Sequence, residues 1–341
     1  MSKIITLAAS IGATALAACA TQHPKEPMMV WNTLDCEAPL VIAHRGASGY
    51  LPEHTLEAYR RAIEMGADMI EPDLVFSRDG VLVARHDRYL STTTDVADRP
   101  AFAARKRAND DPNDSPRVDW WVEDFTLAEL KTLRARQPFP GRSKEFDGLY
   151  AIPTFAEVLA LVTAEAAKAG RKVGVYPETK HPGFYASVGH EFEAPLLRAL
   201  KGFRAGPVFI QSFEPDILRR LKGKTRAKLV QLVVPSPFGG GSSAPEPNIP
   251  LTDISFYADG IGPEKGLVTA WLEEDGEERW RSNLVEEAHA LGLTVHAWTF
   301  RDDVPNEHMP YFIRGKVRLA DTAETVSPAE SANAERTLAI G

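Results

Sequence analysis

The chain is poor in cysteine, with two in 341 residues, Cys19 and Cys36. Cys19 closes an N-terminal apolar run, which leaves Cys36 alone in the body of the chain. One cysteine makes no internal disulfide, so the fold must stand on its core. Cys36 sits in Leu34-Asp35-Cys36-Glu37 with no histidine beside it, which argues against a catalytic thiol. Positive charge is also in deficit: 39 basic against 47 acidic residues give a net charge of −8. A general attraction for nucleic acid is therefore excluded, and a small anionic substrate must be drawn by local positive groups. Neither a glycine-rich dinucleotide fingerprint nor a Walker-type loop follows the first strand-like run. There is no internal repeat. The N-terminal apolar run is too short for a comfortable membrane-spanning helix.

What is present suits one large or two ordinary globular domains, with 44% hydrophobic and 25% charged residues. Lys3 followed by Ile4-Ile5-Thr6-Leu7 and small apolar residues reads as a targeting segment. Leu16-Ala17-Ala18-Cys19 resembles the lipobox of bacterial lipoprotein signal peptides. That resemblance implies a signal peptide over 1–18, lipidation of Cys19 and a polar tether over 19–39. It implies an exported chain on the periplasmic side of a bacterial envelope, touching membrane only through its lipid anchor. Ala20, rather than Asp, after the cysteine leans towards the outer membrane by the same resemblance. An ordinary secretory signal cut nearby, or a weak anchor, is the alternative reading.

Leu40-Val41-Ile42-Ala43 is a short continuous apolar run, the pattern of a strand buried on both faces. Leu56, Ala58-Tyr59 and Ala62-Ile63 have helical spacing, with Thr55 as N-cap and Gly66 as stop. Met69–Phe76 reads as the second strand, and Val81-Leu82-Val83 returns after an Arg78-Asp79-Gly80 turn. Residues 89–125, rich in Arg, Lys and Asp and carrying Pro112 and Pro116, read as an insertion over the surface. Helices are expected over 126–133 and 154–169. Strand-like runs then recur at 173–178, 208–211, 229–234, 260–261 and 293–298, with helical patterns between most of them. The alternation predicts an α/β fold, either a TIM (β/α)8 barrel or a doubly wound sheet. Without a dinucleotide loop the barrel is favoured, with its domain over 40–325 and a frayed tail over 326–341.

The chemistry-bearing residues follow the apolar runs. His44-Arg45-Gly46 ends the first; Glu71-Pro72-Asp73 lies on the second; His86-Asp87 follows the return strand; Glu178 ends the third. In a barrel, such strand ends carry the active site. Glu71 and Asp73 are two apart, so they face one side. With Glu178 they supply oxygen ligands for one Ca²⁺ or Mg²⁺, with Ca²⁺ slightly favoured, while the lack of cysteine disfavours a zinc thiolate site. His44 and His86 are the candidate acid and base. Arg45 can grip a phosphate in two places. The set as a whole suits phosphate ester chemistry. Pro72 between the two acids fits a strand end better than mid-sheet.

The order and wording of these motifs resemble the glycerophosphodiester phosphodiesterase family, most closely its secreted bacterial branch. The resemblance covers roughly residues 40 to 300. His44 and Arg45 match its His-Arg-Gly, Glu71 and Asp73 its Glu-x-Asp, His86 its His-Asp, and Glu178 and Lys180 its Glu-x-Lys. It implies metal-dependent hydrolysis of glycerophosphodiesters to glycerol 3-phosphate and an alcohol, with Arg45 and Lys180 on the phosphate. It also implies that Phe213 and Trp298 line the glycerol pocket, where barrel core is the alternative. Glu53 is placed near the metal or glycerol, or as a helix N-terminal charge. His54 is expected at the surface or behind the metal site. The family's closing Gly-Val-Asp-Gly-x-x-Thr-Asp strand has only a poor counterpart in Val317–Ala320. A phospholipase C or D-like enzyme and a non-catalytic envelope lipoprotein are the rival readings.

Overall fold

The computed structural model describes residues 33–35, 37–112, 114–236, 245–272, 278–300, 317–319 and 337–338. Cys19, Cys36 and the glycine-rich stretch over 239–244 lie outside these residues. The strands are β1 (Val41–His44), β2 (Met69–Glu71), β3 (Asp73–Phe76), β4 (Leu82–Ala84), β5 (Arg107–Ala108), β6 (Val118–Asp119), β7 (Gly174–Val175), β8 (Glu178–Thr179), β9 (Phe209–Ser212), β10 (Lys228–Val233), β11 (Gly260–Pro263), β12 (Thr269–Leu272), β13 (Glu278–Arg281), β14 (Thr294–Val295), β15 (Val317–Leu319) and β16 (Thr337–Leu338). The helices are α1 (Leu56–Glu64), α2 (Leu127–Leu130), α3 (Phe155–Ala169), α4 (Pro182–Ser187), α5 (Glu193–Leu200), α6 (Pro215–Leu221), α7 (Leu251–Ser255) and α8 (Leu284–Ala290).

One parallel series runs β1, β2–β3, β7–β8, β9, β10, β11, β14. Its hydrogen-bond ladder divides into two sheets at two prolines. Pro72 separates β2 from β3, and Pro177 separates Tyr176 from β8. A proline gives no N–H to the ladder, so pairing lapses there. Their carbonyls still accept, from Glu178 N at 3.0 Å and from Gln211 N at 3.0 Å. The strands are apolar almost throughout because helices cover their outer faces and side chains fill the inside. Ile42, Met69, Tyr176 and Val230 pack together as one inner layer.

The predicted helices form where their caps allow. Thr55 accepts from Ala58 N and starts α1. Thr154 and Glu157 make a capping box at α3, and Gly170, at φ 65°, ends it. The helix expected over 126–133 is shorter. Thr126 and Glu129 cap it, but beyond Leu130 the chain leaves to pair with the insertion. Arg134 N bonds Asp95 Oδ1 at 2.9 Å, and Thr94 bridges Ala135.

Two expectations need correction. The 89–125 segment is not merely laid over the surface. Leu90, Val96, Trp120, Val122 and Phe125 are buried in the main core, and β5 pairs with β6 inside the segment. Arg88, 1% exposed, is its anchor: it bonds Glu123 Oε1 at 2.5 Å and Asp110 Oδ1 at 3.2 Å. Its guanidinium lies 3.3 Å from the Phe184 ring centroid and 5.0 Å from that of Trp121. The second correction concerns closure. Val317–Leu319 does form a strand, but β15 pairs antiparallel with β12, outside the parallel series. The place beside β1 is taken by β16, antiparallel, from the stretch expected to fray. Among the described residues no eighth parallel strand joins β14 to β1.

Arg88→Met should destabilise the protein by roughly 3 kcal/mol, because Glu123 would remain buried with only the longer contact to Arg107, at 3.5 Å, in place of its close partner. For a chain of this size that lowers Tm by roughly 4–5 °C. Thermal unfolding followed by circular dichroism reads it, and an unchanged Tm would show the insertion to be anchored elsewhere.

Candidate active site

The parallel register lines up the acids. His44 pairs with Glu71 across β1 and β2, and Asp73 pairs with Glu178, which pairs with Gln211. After His44 the chain turns sharply. Arg45 has φ 61° and Gly46 φ 84°. A Cβ on Gly46 would lie 2.8 Å from the Ala58 carbonyl carbon, so only glycine lets this turn rest on α1. The turn aims the Arg45 N–H at Glu71, whose Oε2 accepts at 2.9 Å.

Glu71, Asp73 and Glu178 are all buried, and one oxygen from each lies within 4.8 Å of the others. Glu71 Oε1 accepts from Gln211 Nε2 at 2.9 Å. Glu178 Oε1 is 2.8 Å from Lys180 Nζ, which is 4.0 Å from Asp73 Oδ1. Arg45 Nε is 3.6 Å from Asp73 Oδ2, and Arg45 Nη1 is 2.9 Å from Glu53 Oε2. Burial, then the charges of Asp73 and Glu178, push Glu71 well above the usual carboxylate range. Burial likewise raises Glu178, to about 8, against the pull of Lys180. Asp73 goes the other way: burial raises it, but Lys180, His86 and His54 together hold it well below the usual range. Three anions in one dry pocket repel, and a divalent cation relieves that repulsion. Asp73 Oδ1 is buried with no hydrogen-bond partner, an acceptor left over inside the cluster. The donor set therefore fits one hard, oxygen-liganded cation.

His86 reaches the same place from β4. Arg85 N bonds Asp73 O at 2.9 Å, which holds the chain beside β3. His86 Nδ1 lies 2.6 Å from Asp87 Oδ1. Loss of water, then the cations of Arg45 and Lys180, bring the imidazole down to about 4. Near neutral pH the ring is uncharged; its Nδ1–H points to Asp87 and Nε2 is left as an acceptor. Asp87 is held far below the usual carboxylate range, its own burial outweighed by the bond to His86.

Phe213 and Trp298 stand perpendicular, 5.6 Å between ring centroids, with Lys180 Nζ 5.7 Å from the Phe213 ring. Phe213 is 38% exposed, so it belongs to the mouth and not to the barrel core. Trp298 is half-buried, with Nε1 donating to Gly262 O at 2.8 Å. The structure thus brings Arg45, Glu71, Asp73, His86, Glu178 and Lys180 into one cluster, with His44 beside Glu71 and the two aromatics beside Lys180. Glu53, given two readings from sequence, is buried against Arg45, and burial's upward push on it is outweighed by Arg45, His54 and His86. One residue was missed, and one of two readings of His54, the place behind the metal site, is the one the structure shows. Gln211 was legible only as part of a strand; its pairing with Glu178 is set by register. His54 is 3% exposed and bonds Asp73 Oδ2 at 2.9 Å.

Residues 44–320 match the Glycerophosphoryl diester phosphodiesterase family. A glycerophosphodiester phosphodiesterase of Arabidopsis thaliana is 35% identical over 82% of this chain and 78% of its own length. One from Haemophilus influenzae is 29% identical over 88% of each chain. Among solved structures, a phosphodiesterase of Oleispira antarctica, in complex with the product sn-glycerol-3-phosphate, aligns with a TM-score of 0.54 at 23% identity. That alignment covers 77% of this chain and 85% of the other. A Silicibacter pomeroyi structure described as a glycerophosphoryl diester phosphodiesterase aligns with a TM-score of 0.57 at 22% identity, covering 77% and 83%. The chain belongs to the glycerophosphoryl diester phosphodiesterase family and is an enzyme of that class.

Asp87→Asn should leave the fold intact and cut kcat by about 10²-fold or more, since an amide no longer fixes the His86 tautomer. Steady-state kinetics with circular dichroism as the folding control decides it; near-normal kcat would remove Asp87 from the orientation of His86.

Proposed function

We propose that this member of the glycerophosphoryl diester phosphodiesterase family cleaves small glycerophosphodiesters, such as glycerophosphocholine and glycerophosphoethanolamine. The products are glycerol 3-phosphate and the free alcohol, and the reaction needs one Ca²⁺ or Mg²⁺. The observation that carries the reading is the buried Glu71–Asp73–Glu178 cluster flanked by Arg45 and Lys180. The product held by the Oleispira antarctica enzyme is consistent with it. A cation bound by the three carboxylates would supply positive charge for the phosphate and the attacking oxygen. Arg45 and Lys180 are placed to grip phosphate oxygens and to offset charge as it develops.

Cleavage of the diester requires a proton removed from the attacking oxygen, of water or of the substrate's own glycerol hydroxyl. It requires another delivered to the leaving alkoxide. His44 and His86 serve as this pair, and neutral His86 with Asp87 behind it is ready to accept. The Phe213–Trp298 corner offers an apolar wall for the glycerol carbons. Among the described residues no set is placed to read the second alcohol, and a loose headgroup preference is the expectation. The Leu16–Cys19 resemblance adds export and a lipid anchor at Cys19, facing the periplasm of a cell with two membranes.

His44→Ala and His86→Ala should each lower kcat on glycerophosphocholine by at least about 10²-fold, and the double mutant should fall far short of additivity. Chelator should abolish activity and added Ca²⁺ or Mg²⁺ restore it. Full activity after verified metal removal would sink the metal role. In a substrate panel, deacylated diesters should exceed intact phospholipid, sphingomyelin and bis(p-nitrophenyl) phosphate in kcat/KM; the reverse order would hand the assignment to a phospholipase or a general phosphodiesterase. For the anchor, Cys19→Ser should release the protein from the membrane fraction, and mass spectrometry should find acylated Cys19 at the mature N-terminus. A different mature N-terminus overturns the lipoprotein reading.

A further inference from the structure

Behind the carboxylate cluster lies a buried chain that the reaction itself does not use. His54 Nε2 is 2.9 Å from Asp73 Oδ2, and His54 Nδ1 is 2.7 Å from the Tyr59 hydroxyl. All three side chains are buried, Tyr59 completely. A carboxylate oxygen only accepts, so His54 Nε2 carries the proton, and in the neutral ring Nδ1 accepts from the Tyr59 hydroxyl. His54 reaches this position through a left-handed backbone, φ 55°, in which a non-glycine residue is uncommon. Its N–H bonds the carbonyl of Arg45, the other non-glycine left-handed residue of the same loop, at 3.1 Å. Tyr59 sits in α1, whose start is fixed by the Thr55 cap.

The consequence falls on Asp73. Its Oδ2 is held by His54 and approached by Arg45, which fixes the rotation of the carboxylate. Its Oδ1 is left buried and without a hydrogen bond, among the oxygens of Glu71 and Glu178. A carboxylate free to rotate would share its two oxygens between the cation and the basic groups around it. This one is constrained to offer a single, defined oxygen. Partners behind a ligand commonly set metal affinity in this way, by about 10–100-fold.

We propose that Tyr59–His54 is a positioning relay that orients Asp73 for cation binding, so that His54 acts on metal affinity and not on the bond-breaking step. This rests on the metal reading of Glu71, Asp73 and Glu178. The test uses the whole folded chain and Ca²⁺ or Mg²⁺ alone as probe, with affinity measured by isothermal titration calorimetry after chelator treatment. His54→Leu should weaken cation binding by about 10–100-fold. His54→Gln, which keeps an N–H donor at the reach of Nε2, should recover most of that loss. Tyr59→Phe fills the same buried space without the hydroxyl, and should weaken binding by several-fold with the fold kept. At saturating cation, kcat of each variant should return close to wild type, while activity at limiting cation stays low. If Tyr59→Phe and a folded His54→Leu both bind the cation as tightly as wild type, the relay is wrong and the metal site stands. If they bind as tightly but kcat stays low at saturation, His54 serves the chemistry instead. A wild-type chain that takes up no cation overturns the metal reading, and the relay with it.

Discussion

Mutual repulsion among three buried carboxylates is the constraint around which this molecule is arranged. Glu71, Asp73 and Glu178 are set side by side by strand register, in a place with little water to screen them. Left alone, such a cluster costs free energy and would tend to protonate or open. Burial and like charge do raise Glu71 and Glu178. What keeps the cluster together is a surround of positive and hydrogen-donating groups: Arg45, Lys180, the Arg45 backbone N–H, Gln211 and His54. The strain of the left-handed turn at Arg45 is tolerated because it delivers two of these at once, the guanidinium and the N–H. On the proposed function, a site so assembled would take a multivalent cation and a phosphate with little rearrangement.

The two prolines belong to the same solution. Pro72 and Pro177 precede Asp73 and Glu178, in adjacent register on neighbouring strands. At these positions the ladder loses donors but keeps the carbonyl acceptors. The strands are thereby broken just where their side chains turn from apolar core to charged site. Below the break lie Ile42, Met69, Tyr176 and Val230. Glu71 lies just before the break, and Asp73 and Glu178 just after it.

Much of this was legible from the amino acids. The motif residues could be placed because each follows an apolar run, and in a barrel the ends of such runs meet. Thr55 and Thr154 announced their helices by cap chemistry, which is local. What was hidden depends on register and packing across the fold. Gln211 is an ordinary strand residue until β9 is paired with β8. His54 could be read as a surface histidine or as a contact behind the metal site, and the left-handed turn that decides between them by carrying it inward to Asp73 is not visible in the sequence. The short Val317–Leu319 strand was visible as a strand, but its partner, β12, was not. The N-terminal reading around Cys19 rests on the sequence alone.

The 89–125 segment was misjudged for an instructive reason. Its charges and prolines give it the composition of a solvated loop, yet its charges are largely spent on one another. Arg88 stands two residues after His86 and is held inside the segment by Glu123 and Asp110. The same guanidinium packs on Phe184 of α4, the helix that opens just after Lys180 and His181. Asp111 of the segment lies 3.7 Å from His181 Nδ1. One buried cation therefore ties together the loop that bears His86 and the loop that bears Lys180, with the segment as the clamp between them. Ion pairs of this kind add little net stability against an apolar alternative, but breaking one leaves a stranded charge. Their value here is geometric: the His86 side and the Lys180 side of the site are held to a common frame. Composition alone cannot show this, since the decisive property is which charges find partners out of water.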